Sequence, residues 1–331
     1  MVPEPGQGPH EGQGPHESQG PHESQGPRQS QGRGQDQESP HPAQLAVGVI
    51  GAGRAGTAMA ACLGRAGHRV VAASAVSQAS IERVAARLPG VPVLGPHEVI
   101  ERADLVLLTV PDDALPGLVA GLAATEVPLG GKLIAHASGR HGLAVLEPVV
   151  AKGALPLAMH PVMTFTGRVE DEARMNGISF GVTAPEPLRP VAEVLVVEMG
   201  GEPVFIAEDK RGIYHAALAS GANHLVTLVT ASAELLGLAG VTDPAIMLAP
   251  LLYAALENAL ALGPAALTGP VARGDAETVA AHVAAIKAAA PEMLGSYLAL
   301  ARLTADRALA ARTLTADDAE RLLGVLSGPT T

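Results

Sequence analysis

The chain has 331 residues, 47% of them hydrophobic, with a formal net charge of −11 and a single cysteine. That is enough apolar material for a large core and two domains, and one cysteine excludes an internal disulfide, which fits a reducing cytoplasm. The acidic balance offers no field for a polyanion and the 2% aromatic content little to stack bases on, so nucleic acid is not an expected partner.

Residues 6–29 repeat a Gly/Gln/Pro/His hexapeptide that cannot bury enough apolar surface to offset its ordering entropy. Residues 1–43 therefore read as a disordered tail. His10, His16 and His22 recur at fixed spacing, so metal capture stands against a bland extension, and no metal site is expected. The polar, Pro-rich start does not read as a signal peptide.

From Leu45 an apolar strand runs into Gly51-x-Gly53-x-x-Gly56 and then a helix-compatible stretch from Thr57. In that context the glycines are a dinucleotide fingerprint: Gly51 allows the turn, Gly53 lets backbone approach a pyrophosphate, and Gly56 lets helix and strand pack closely. Gly51, Ala52, Gly53, Arg54, Ala55 and Gly56 are thus expected to hold the cofactor phosphates at a helix N-terminus. Cys62, in the same helix, reads as a small buried residue rather than a nucleophile.

Runs at Val47–Ile50, Arg69–Ala73, Val91–Leu94, Leu105–Val110 and Lys132–His136 read as parallel strands. Helices are expected between them at Thr57–Ala66, Ser80–Arg87 and Leu115–Ala123. Leu155–His160, Ile178–Thr183 and Pro203–Ile206 extend the sheet around a helix at Leu188–Met199. Residues 44–206 are accordingly expected to form an α/β, doubly wound, mostly parallel sheet.

The second strand ends in Ala72–Gln78 without an acid, where an NAD site usually holds the ribose 2′-hydroxyl with Asp or Glu. Ser74, Ser77 and Gln78 could instead bond a 2′-phosphate and Arg54 supplies a nearby charge, which favours NADP, with NAD as the alternative. Arg54 reads equally as a solvated loop residue. Val110, Pro111 and Asp112 end the next strand and are expected beside the nicotinamide half, although Asp112 and Asp113 are also natural helix caps. Ser138, in a loop with Gly139, and His160, on the same rim, are candidates to hold substrate; the bland reading of His160 is a buried imidazole satisfied by backbone.

After Glu208 the pattern turns to Ala/Leu-rich helices: Lys210–Leu238, Pro244–Leu262, Ala276–Ala289, Pro291–Ala311 and Ala316–Leu326. Residues 207–328 are read as an all-helical substrate and dimerisation domain, apolar around much of each helix, so a homodimer is expected. The longest apolar candidate for a bilayer span, His224–Val241, carries Glu234 and glycines, so no membrane span is expected and the protein reads as soluble and cytoplasmic.

His215, Ala219 and Asn223 stand on one face of the first of these helices, with Lys210 and Tyr214 as a neighbouring i, i+4 pair. His215, Lys210 and Asn223 are the candidate catalytic residues, with Ser220 beside the substrate. Lys210 reads alternatively as solvated, Tyr214 as core and His224 as a surface group. The loop Leu267–Asp275 offers Thr268 and Arg273, a natural carboxylate clamp, while Asp275 reads as the cap of the next helix.

Taken together, Gly51 to Gly56, His136-x-Ser138-Gly139, His160-Pro161, Tyr214-His215 through Asn223, and Thr268 to Asp275 resemble Rossmann-like proteins that end in domain of unknown function 2520. That family is similar to pyrroline-5-carboxylate reductases, ketopantoate reductases and 3-hydroxyacid dehydrogenases. The resemblance implies an NADPH-dependent ketopantoate reductase. The relatives' Lys-and-Asn face is represented here by His215 and Asn223, with Lys210 earlier in the chain. An imine reductase of pyrroline-5-carboxylate type and a non-catalytic dinucleotide-binding regulator are the alternatives.

Overall fold

A computed structural model describes residues 44–327. The hexapeptide repeats and the expected disordered tail lie outside the described residues. The sheet half contains β1 (Ala46–Ile50), α1 (Arg54–Arg65), β2 (Arg69–Ser74), α2 (Gln78–Arg87), α3 (Pro96–Arg102), β3 (Leu105–Leu108), α4 (Leu115–Ala123) and β4 (Leu133–His136). It continues through α5 (Glu147–Val150), β5 (Leu155–Pro161), α6 (Glu170–Arg174), β6 (Ser179–Thr183), α7 (Arg189–Glu198) and β7 (Glu202–Phe205). The helical half comprises α8 (Arg211–Leu238), α9 (Pro244–Leu262), α10 (Ala276–Ala289), α11 (Leu294–Ala310) and α12 (Ala316–Leu326).

The seven strands form one sheet in the order β2-β1-β3-β4-β5-β6-β7. β1 through β5 are parallel; β6 runs antiparallel to β5, and β7 runs parallel to β6. Every residue of β1, β3 and β4 is buried, as expected of strands covered on both faces, whose apolar runs do not alternate. Val47 pairs with Leu105, Leu105 with Leu133 and Leu133 with Leu155, so Ile50, Leu108 and His136 end on one rim. Gly48 lets α3 settle on the sheet, because a Cβ there would come within 2.6 Å of Val99 Cγ1.

One expected strand is corrected. Val91–Leu94 makes only an isolated parallel bridge between Val93 and Ala73. Pro92 lends its carbonyl to Ala73 N–H but has no amide to extend a ladder, and Gly95 turns the chain at once into α3. That helix is missing from the sequence reading, although Pro96 opens it and the Glu98 carboxylate accepts from the Gly95 amide.

Core packing divides into three clusters. One joins α1 and α7 to a face of the sheet, a second joins α3 and α4 to the other face, and a third lies among α10, α11 and α12. α8 and α9 belong to none of them: Arg211 is the one buried residue of α8 and Leu248 that of α9. The window Pro244–Ala266 is long and apolar enough to cross a membrane by length and composition, which corrects the expectation that no run reaches that length; 6% of it is buried.

Candidate active site

The glycine turn is tied to the strands on either side. The amides of Gly51 and Ala52 donate to the Ser74 carbonyl at 3.1 and 2.9 Å, and Thr109 Oγ1 donates to the Gly51 carbonyl at 2.8 Å. Gly51 has φ +85°, and its Cβ would strike Val110 Cγ1 at 2.6 Å; a Cβ on Gly56 would strike Thr109 Oγ1. Gly53 differs, because a Cβ there would enter space with only the Gly51 carbonyl at 3.7 Å. α1 starts at Arg54 with no side-chain cap and no acid in its first turn, so its leading amides stay open to an anion. An open approach at Gly53 in front of uncapped amides fits a dinucleotide pyrophosphate.

Ser77 caps α2, its Oγ accepting from Ser80 N–H at 3.2 Å, and Gln78 donates to Glu82 at 3.0 Å. With buried Ser74 these residues sit where β2 ends. Asp112 and Asp113 do not cap α4, whose N-cap is Ala114 with no side-chain bond. His141 instead bridges two rim loops: its amide donates to Ser138 Oγ at 3.1 Å and its Nε2 lies 3.2 Å from the Asp112 carbonyl.

Across the rim, β4, β5 and the start of α8 bring their polar groups together. His160 Nδ1 lies 2.8 Å from Tyr214 Oη, and the His160 ring meets those of Tyr214 and His215 edge-on at 5.7 and 6.1 Å. Gly139 closes the group, since a Cβ there would lie 2.6 Å from His215 Cδ2 and 2.9 Å from His160 Nε2. Burial, aided by Arg211 and His215, pushes the His160 pKa down to about 4, so its ring is neutral at physiological pH. Burial likewise pushes the Tyr214 phenol up, while Arg211 works against that rise.

Arg211 is 2% exposed and lies under this group. Its Nε donates to Thr183 Oγ1 at 2.8 Å, and its Nη2 donates to the carbonyls of Gly181 and Ala158 at 3.0 and 3.2 Å. Nη1 donates to the carbonyls of Ser138 and Gly139 at 3.4 and 3.5 Å. One guanidinium thus ties the ends of β4, β5 and β6 to α8, and its carbon stands 5.7 Å from the centre of the Tyr214 ring. His136 adds a second fixed ring: it accepts from the Ser138 amide at Nδ1, which leaves Nε2–H to donate to the Gly142 carbonyl at 2.8 Å. Burial lowers its pKa to about 4.

The other candidates lie apart. Lys210 is exposed and pairs with Asp209 at 2.6 Å, which raises its pKa. Asn223 and Ser220 are exposed farther along α8, with Ser220 Oγ 3.2 Å from His224 Nδ1. Thr268 and Arg273 belong to the loop before α10, where the Arg273 guanidinium donates to the Thr268 carbonyl; Asp275 caps α10 as expected, accepting from Thr278 N–H at 3.1 Å. Among the described residues no group of three or more metal-ligating side chains forms. Sequence reading missed Arg211, His136 and the pairing of Tyr214 with His160. A lone cation opening an Ala-rich helix carries no sequence signal of burial, because its partners are carbonyls.

Comparison with known proteins agrees with this layout. Residues 31–161 match the Rossmann-like domain and residues 178–304 match the domain of unknown function DUF2520, so the chain carries both. It is 34% identical over 181 residues to a glycerol-3-phosphate dehydrogenase [NAD(P)+] from Bradyrhizobium sp. strain BTAi1, a match covering 50% of this chain and 54% of that protein. The chain thus spans about half the length of the curated relatives it matches. Among solved structures it resembles a candidate NADP oxidoreductase from Bacteroides fragilis, at TM-score 0.68 and 22% identity over 80% of this chain and 98% of that one. It also resembles a reductive aminase from Aspergillus terreus in complex with NADPH and ethyl levulinate, at TM-score 0.59 and 20% identity over 85% and 99% of the two chains. Likeness at this identity is likeness of fold.

Proposed function

We propose that this chain, a Rossmann-like domain followed by DUF2520, is an NADPH-dependent reductase of a small 2-keto acid, with ketopantoate as the first substrate to test. The reading rests on one observation above the others, the 2.8 Å His160–Tyr214 pair beside His215 on the strand rim. Bound NADPH would supply the hydride. The chain must then supply a proton to the carbonyl oxygen as it gains negative charge.

Tyr214 is the donor in this account. Neutral His160, protonated at Nδ1, donates to the phenol oxygen and leaves the phenol proton free for the substrate. The phenolate that forms is held by that N–H and by the positive charge of Arg211 below the ring. His215 borders the same space from the next position of α8, and the Ser138–Gly139 loop forms its floor. Lys210, engaged by Asp209 in solvent, is not assigned a proton-transfer role.

The homodimer belongs to the same proposal, with a second copy of the chain covering α8 and α9. Ile246, Leu251, Tyr253 and Leu260 of α9 are each at least 65% exposed. Helices of 28 and 19 residues are about 42 and 28 Å long, enough for an apolar strip of the order of the roughly 800 Å² per partner that a stable interface uses. Arg273 and Thr268, which lie away from this protomer's rim loops, would hold substrate carboxylate at the partner's site. A cytoplasmic location completes the proposal.

Reduction of a cyclic imine is the second reading, favoured by the exposed pairing of Lys210, because an iminium arrives already protonated. NADPH oxidation by the pure protein separates the readings. Turnover with ketopantoate or another 2-keto acid supports the first, and turnover with a pyrroline but no keto acid supports the second. NADPH binding without turnover of either class would contradict both and leave a regulator.

A further inference from the structure

Arginines of α1 and α2 fall into two groups along one edge of the sheet half. Arg65 and Arg87 share the carboxylate of Glu172 in α6. Arg54 and Arg83 form no ion pair among the described residues. Even so, the fold brings these two together: a Cβ built on Gly167 would lie 3.2 Å from Arg54 Cγ and 3.2 Å from Arg83 Nε.

The turn that meets them is fixed from beneath. Gly167 has φ +83°, a backbone conformation natural to glycine. Asp171, buried, accepts from Thr166 N–H at 3.2 Å, from Thr166 Oγ1 at 2.8 Å and from Gly167 N–H at 2.6 Å. Its carboxylate is thereby committed to the turn, and the arginine that lowers its pKa is Arg174 rather than Arg54 or Arg83. Two like charges held against one rigid turn without a counter-charge repel each other, a cost that a bound anion removes.

The place identifies the anion. Arg54 follows Gly53 at the opening of α1, and Arg83 lies on α2, which starts four positions after β2 ends. In a doubly wound sheet the adenosine ribose of a dinucleotide lies at the end of the second strand. Resting on the dinucleotide reading above, we infer that Arg54 and Arg83, walled by the Gly167 turn, clamp a ribose 2′-phosphomonoester and set the preference for NADPH over NADH. Guanidinium forks suit such a group, and its dianion supplies the missing counter-charge. Arg83 and the Gly167 turn are the new elements; the turn comes from the far side of β5 and closes the pocket that Ser74 and Ser77 open.

Titration calorimetry with NADPH, NADH and 2′-AMP on the full chain tests the clamp. Arg83→Gln should weaken NADPH and 2′-AMP roughly 10- to 100-fold and leave NADH within about twofold. Gly167→Asp is a second test, because aspartate tolerates this φ and would place a carboxylate against both arginines; NADPH should weaken and NADH should not. Equal losses for both dinucleotides, or a wild type that binds NADH as tightly as NADPH, would overturn the clamp. If the wild type binds neither dinucleotide, the reductase reading fails by itself, and 2′-AMP then decides the clamp: Arg83-dependent binding keeps it, and no binding overturns it.

Discussion

β3 and α9 are both apolar segments, yet the structure treats them in opposite ways. All four residues of β3 are buried between two helical layers of the same protomer, whereas Leu248 is the one buried residue of the 19 in α9. The sheet half completes its own core; the α8–α9 arm carries apolar surface that this protomer does not cover. The polar groups of the rim gather at the joint between the two, where Arg211 makes the first turn of an exposed helix part of the buried sheet. Precision at the site therefore comes from the sheet half and access from the arm.

Breaking the joint should have the largest effect. Arg211→Ala removes the donor from Thr183 and from carbonyls of Gly181, Ala158, Ser138 and Gly139, and buried acceptors left unpaired cost about 1–3 kcal/mol each. We expect a loss of about 3 kcal/mol or more in urea unfolding, together with loss of turnover. Arg211→Lys should recover only part, since an ammonium cannot reproduce the fork.

Next in size is the chemistry. Tyr214→Phe keeps the ring and removes the proton, so kcat should fall roughly 100-fold or more with the NADPH Kd unchanged. His160→Phe should fall comparably and shift the pH profile of kcat. A loss confined to KM in either variant would argue for a role in binding alone.

The buried histidines give a pH signature that belongs to the sheet half. His136 and His160 titrate near about 4 in the fold and near 6.5 when unfolded. Between those values the unfolded chain binds protons that the folded one refuses, so stability rises with pH across that window and is lost on acidification. The slope should be roughly 1.4 kcal/mol per pH unit for each histidine. Urea midpoints from about pH 7 to about pH 4.5 should fall accordingly, less steeply in His160→Asn.

The arm is tested by charge. Leu251→Glu or Leu260→Glu on the open face of α9 should convert dimers to monomers in sedimentation while leaving the Tm of the sheet half within a few degrees. An unchanged dimer would place the interface elsewhere, and sedimentation of detergent-free wild type as aggregates would point to a membrane surface instead. The smallest effect is expected at Lys210: Lys210→Ala should leave kcat within about twofold, since its partner is Asp209 in solvent.

Chain periodicity and punctuation carried most of the fold. α4, α9, α10 and α12 begin and end where the sequence reading places them, because Pro, Gly and Thr or Asp caps mark their ends. The third expected strand failed where Pro92 removed an amide, a local detail that an apolar run hides. At the site, the glycine turn was legible because its chemistry is contiguous in sequence. His160 and Tyr214 are 54 residues apart, and Arg211 is satisfied by carbonyls of three strands, so only the register of β4, β5 and β6 brings them together.

The most direct test of the account is single-turnover transfer from 4-deuterated NADPH to a 2-keto acid, comparing wild type, Lys210→Ala and Tyr214→Phe. The account predicts deuterium at the carbinol carbon at similar rates in wild type and Lys210→Ala, and a rate roughly 100-fold lower in Tyr214→Phe. Deuterium transfer that survives in Tyr214→Phe but collapses in Lys210→Ala would contradict it.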